Sequence, residues 1–123
     1  MNVTVWVLQV LVASAFLLAG VMKTTQPRQK LAASMGWVED FSDNTVRTIG
    51  VLEILAGVAL LLPAVTGVAT VLVPLAAVGL VLLMLGAAFT HRRRGELPMI
   101  GINATLLLVA VVVAWARFGP YPL

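Results

Sequence analysis

The sequence predicts an all-α fold, an integral membrane bundle of four transmembrane helices, and three observations predict it. Of its 123 residues, 61% are hydrophobic and 11% charged, with a mean hydropathy of +1.06. That leaves too little polar surface for a water-soluble domain of this size. Four long apolar runs follow one another, and a helix needs about 20 apolar residues to cross the roughly 30 Å hydrocarbon core. The basic residues cluster in alternate connections. The spans leave little chain for anything else, so residues 1–123 are expected to form a single membrane domain.

The first span is expected at 3–22, broken only by Thr4, Gln9 and Ser14. It exceeds the apolar core of a signal peptide and lacks a basic leader, so it reads as a retained span. The second is expected at 46–62, closed by Pro63; at about 25 Å it is shorter than the hydrocarbon core and calls for thinning or neighbours. The third, 67–89, is the most apolar and contains Pro74, which predicts a kink that frees the Thr70 carbonyl. The fourth runs over 98–116, with Pro98 suited to a first helical turn.

The loop 23–45 is long for a compact fold, as functional loops tend to be. Its stretch 28–37 predicts a short interfacial helix with Leu31, Met35 and Trp37 toward lipid. Ser42 or Asp43 would cap the second span. Residues 63–66 read as a tight hairpin, and 90–97 as a short basic connection. Lys23, Arg28, Lys30 and Arg47 lie on the same side as Arg92, Arg93 and Arg94, with Arg117 alone opposite. The positive-inside rule then sets loops 23–45 and 90–97 in the cytoplasm and both termini outside, as a multi-pass protein of a cell membrane. The same rule, rather than nucleic acid, accounts for the net charge of +3. Trp6, Trp37, Trp115 and Tyr121 read as interfacial anchors, with Trp37 and Phe41 alternatively covering a ligand entrance.

The chain contains no cysteine and one histidine, so thiol redox chemistry, iron–sulfur ligation and a protein metal site are not expected. No phosphate loop, dinucleotide fingerprint, nucleophile elbow or zinc motif occurs, which points away from a self-sufficient enzyme and toward a non-catalytic or partner-dependent subunit.

Glu53 stands out. It lies about 10 Å into the second span, where an ionised carboxylate is costly and needs a partner inside the bundle. Gly50 and Gly57 share its helix face, so a neighbouring helix can approach closely. The carboxylate is either a proton- or ligand-binding group or a cation-fixed interhelical lock. Lys23, Arg47, His91 and Asn103 all fall toward the same side of the membrane, and a pocket holding Lys23, Glu53, His91 and Asn103 is geometrically reasonable. For His91 the plainer reading is an interfacial histidine beside three arginines, with Glu96 offsetting their charge.

Three stretches carry a family resemblance: Phe16-Leu-Leu-Ala-Gly20-Val-Met-Lys23; Arg47-Thr-Ile-Gly50-Val-Leu-Glu53-Ile-Leu-Ala-Gly57 with its trailing Pro63; and Met84-Leu-Gly86-Ala87-Ala-Phe-Thr90-His91. In their order and spacing they resemble the DoxX and DoxX-like family of small four-helix membrane proteins. The resemblance implies a bacterial inner-membrane protein associated with redox processes, quinone-linked in some relatives, with soluble or membrane redox proteins as partners. It also implies Lys23, Arg47, Glu53 and His91 as a polar core and Gly20, Gly50 and Gly57 as packing positions. The leading expectation is an accessory or ligand-binding component of a membrane redox system, with quinone as the cofactor to test around Glu53. Two alternatives stand beside it: a proton-coupled transporter of lipophilic compounds, and a structural or assembly factor for other membrane proteins. A homo-oligomer is compatible with so small a bundle.

Overall fold

The computed structural model describes residues 2–32 and 35–123. Five α-helices occur in order: α1 (Asn2–Thr25), α2 (Arg28–Ala32), α3 (Asp43–Thr66), α4 (Leu72–Arg93) and α5 (Leu97–Phe118). A 3₁₀ turn, Gly36–Asp40, lies between α2 and α3. The four long helices are apolar and long enough to cross a membrane. Their outward faces carry large aliphatic side chains such as Leu11, Leu55, Leu85 and Leu108, the arrangement expected when lipid is the surrounding solvent.

α1 packs most extensively on α3 and α4 on α5, and the two pairs meet along α3 with α4 and α1 with α5. Val12, Phe16, Leu60, Leu80, Met84 and Val113 fill the centre between them. Glycine sets the spacing of the first pair. A Cβ on Gly20 would lie 2.6 Å from the Gly50 carbonyl oxygen, and one on Gly50 would lie 2.9 Å from the Gly20 carbonyl oxygen. Two turns along α3, Gly57 leaves room for Leu17, whose Cγ would be 2.6 Å from an added Cβ. Without a hydrophobic force between helices in lipid, such backbone approach is a main source of helix association.

Several boundaries differ from the sequence expectation. Pro63 does not end the second span: α3 runs on to Thr66, where Gly67 takes a left-handed conformation (φ 73°) and donates its N–H to the Pro63 carbonyl at 2.9 Å. The proline costs only the bond to the carbonyl one turn back, and its ring is buried against the bundle. With 24 residues α3 is about 36 Å long, so the expected bilayer thinning is unnecessary. The second connection is therefore 67–71 and not 63–66. α4 begins at Leu72, which puts Pro74 in its first turn, where a missing N–H breaks no helical bond. The Thr70 carbonyl, expected to be freed, accepts from Val73 N at 3.1 Å, and the expected kink has no cause. α4 also extends past 89, so His91 and the first two arginines belong to its last turn.

The long loop forms α2 and the 3₁₀ turn in place of one interfacial helix, with 33 and 34 outside the described residues. Leu31 does not face lipid. It is buried with Val38 and Val46, and Met35, Trp37 and Phe41 pack around that cluster. Ser42 rather than Asp43 caps α3, its Oγ accepting from Thr45 N at 3.2 Å.

At the end of the bundle that holds both termini, Gln9 joins three helices. Its Nε2 donates to the Leu60 carbonyl at 2.6 Å, and its Oε1 accepts from Arg117 Nε at 2.9 Å. Arg117 Nη1 donates to Asn2 Oδ1 (2.7 Å) and to the Tyr121 carbonyl (3.0 Å), and the guanidinium lies 5.2 Å from the centre of the Trp6 ring.

Two outcomes follow for thermal unfolding in detergent micelles. Gly20→Val should destabilise by about 1–3 kcal/mol because backbone cannot yield to the new side chain, while Gly101→Ala, whose Cβ meets nothing within 4 Å, should be neutral or stabilising. Gln9→Leu should cost about 1–3 kcal/mol by leaving a buried guanidinium N–H without its acceptor, against no measurable loss for Thr4→Val on the exposed face of the same helix.

Candidate functional site

At the end of the bundle opposite the termini, the seam between the two helix pairs widens into a cavity of about 420 Å³. That volume lies within the roughly 300–1,000 Å³ of small-molecule sites. Its walls are mainly apolar, including Phe16, Leu83, Met84, Ala87 and Leu106, and four of its lining residues are Lys23, Glu53, His91 and Asn103. One comes from each long helix. The structure thus brings together the four side chains that the spacing of the spans placed at one level.

Glu53 is 2% exposed, and its Oε1 accepts from Lys23 Nζ at 2.6 Å. α1 and α3 can present these two groups to each other because Gly20 and Gly50 hold their backbones close immediately beside the pair. A buried charge in this setting demands a partner, and the pair as a whole is neutral. The ammonium also lies 5.4 Å from the centre of the Trp37 ring, which adds a cation–π contact on the loop side. Trp37 in turn packs edge-on against Phe41 at 5.7 Å between centroids, and both line the cavity with Met35. The sequence reads Trp37 as an interfacial anchor or as the cover of a ligand entrance, and the geometry places Trp37 and Phe41 on the cavity lining.

His91 is buried within the bundle: its Nδ1 donates to Glu96 Oε1 at 2.9 Å, and Arg94 Nε donates to the same oxygen at 3.2 Å. The turn after α4, with Gly95 at φ 71°, folds the carboxylate back over the helix end. Glu96 therefore orients the imidazole as well as offsetting an arginine. Asn103, on α5, is 6% exposed, and its Nδ2 is buried with no hydrogen-bond partner among the described residues. An unsatisfied buried donor is costly, and the residue that carries this one lines the cavity.

Arg47 is not part of this arrangement. It lies six residues before Glu53 on α3, is exposed, and lines a separate polar depression with Gln26, Leu31 and Asp43. From sequence, Gln9 reads only as a span interruption and Arg117 only as a topology marker. The signal available was that both are polar and near the same membrane level, on the first and last spans. Among the described residues no cluster of His, Asp and Glu has the makings of a metal site.

No curated protein and no solved structure matches the chain. A family model matches part of each of the four long helices and all of the cavity lining. It covers residues 7–113 and carries the description DoxX-like family, so the chain belongs to the DoxX-like family of membrane proteins.

Proposed function

We propose that the protein is a non-catalytic membrane component that binds a small lipophilic molecule, with a quinone as the leading ligand, on behalf of a membrane redox system. The observation that carries this reading is the cavity itself: apolar walls with Lys23, Glu53, His91 and Asn103 gathered on its lining. A quinone presents a flat apolar ring and carbonyl oxygens, which suit hydrophobic walls and buried N–H donors. Asn103 Nδ2 would donate to one carbonyl, and Lys23 retains N–H groups beyond the one given to Glu53. A bound quinone would supply the electron- and proton-carrying chemistry that the cysteine-free chain lacks. In this reading the site faces a bacterial cytoplasm, with loops 23–45 and 90–97 on that side, as the basic residues indicate.

A second reading, in which the bundle is a structural or assembly element, draws on the short Lys23–Glu53 pair and the glycine contacts beside it. The transporter reading is weaker, since Lys23 already occupies the carboxylate for which proton and substrate would compete.

Purified protein should carry quinone detectable by mass spectrometry of an organic extract, and decylubiquinone added to stripped protein should raise its unfolding midpoint. Absence of both removes the quinone assignment. Lys23 and Glu53 separate the remaining readings. Either Lys23→Met or Glu53→Gln alone should cost about 3–5 kcal/mol by stranding a buried charge, whereas the double variant should recover much of that loss. A double variant that is stable yet no longer shifted by decylubiquinone supports a ligand site; one that keeps the full shift shows the pair to be a lock.

A further inference from the structure

The cavity is bordered differently toward the loops and toward the sides. Toward the loops it is covered by Met35, Trp37 and Phe41 and by His91 with its Glu96 partner. Sideways it is not covered. Among its lining residues Leu82 on α4 is 65% exposed and Ile102 on α5 is 53% exposed, and Gly86 and Ala15 are exposed as well. These positions lie on the outward apolar surface, so part of the cavity lining reaches the side of the bundle that would meet lipid. Gly86 has open space beside it, since a Cβ there would meet nothing within 4 Å.

The polar lining restricts what can enter. Lys23 and Glu53 neutralise each other, so a charged headgroup would bring an unmatched charge into a low-dielectric site. Asn103 Nδ2 is a neutral donor in want of an acceptor. Taking the cavity as a ligand site, as above, we infer that its occupant is an uncharged long-chain lipid with a carbonyl headgroup, which enters sideways from the bilayer. The carbonyl accepts from Asn103, and the chain leaves past Leu82 and Gly86. The loop segment around Trp37 is then a fixed cover and not the entrance.

The test uses a long-chain methyl ketone bearing a photoreactive diazirine midway along its chain, added to the full protein in phosphatidylcholine nanodiscs, irradiated and mapped by mass spectrometry. Adducts are expected at Leu82, Leu83 and Ala87 and should disappear when unlabelled ketone is in excess. Asn103→Leu should weaken labelling about tenfold, the equivalent of one lost hydrogen bond. Gly86→Trp, which fills the opening, should abolish it; Leu82→Trp serves the same purpose should the first variant not fold. Labelling that ignores both Asn103→Leu and competition reports bulk lipid only and overturns the inference. Adducts confined to Met35, Trp37 and Phe41 place the entrance at the loops and overturn it too. Ketone labelling as expected without decylubiquinone binding upholds this inference while the quinone assignment falls. Decylubiquinone binding untouched by Gly86→Trp does the reverse.

Discussion

A lysine ammonium and a glutamate carboxylate 2.6 Å apart, both buried, are the constraint around which the loop half of this bundle is built. In a medium that solvates neither ion, each can remain charged only beside the other. That requirement sets how near α1 and α3 must come, and Gly20 and Gly50 supply the clearance. It also sets what may stand next to the pair: an aromatic face, Trp37, on one side and the cavity on the other. The opposite end solves a similar problem differently. Arg117 is buried with neutral partners only, drawing on Gln9, Asn2, a carbonyl and the Trp6 ring, and one of its Nη atoms has no partner among the described residues.

Much of this was legible in the sequence because lipid imposes simple rules. Continuous apolar runs must be helices, and a carboxylate inside one of them must face protein. The depth of Glu53 and the ends of spans one and three were enough to place Lys23, Glu53, His91 and Asn103 at one level. Where the reading went astray, local propensity stood in for tertiary context. Pro63 marks a stop in isolation, yet a buried proline inside α3 loses one hydrogen bond while the neighbouring helices hold it in place. Pro74 implied a kink only while the helix start was set five residues too early; with Leu72 as the first residue it is an ordinary first-turn proline.

Other features depended on contacts that spacing does not encode. Arg47 and Glu53 are six residues apart, which on a helix turns them to different faces, so the arginine is exposed while the carboxylate is buried against Lys23. Leu31 and Trp37 fit an amphipathic pattern directed at lipid, but the loop folds back onto α3, and burial against Val46 outcompetes the membrane surface. The bond from Gln9 to the Leu60 carbonyl joins side chain to main chain, and nothing in the residue type at 60 announces it.

The glycine contacts bear on how the chain can drift under mutation. Gly57 presses hardest on a side chain, Leu17, with the Ala13 carbonyl oxygen farther off at 3.2 Å, so bulk gained on one helix can be offset in part by bulk lost on the other. Gly20 and Gly50 press on each other's carbonyl oxygens, which every amino acid carries alike. No second substitution can remove a main-chain atom, so these two positions have no compensating partner, and variation around the ion pair is channelled into the cavity walls instead.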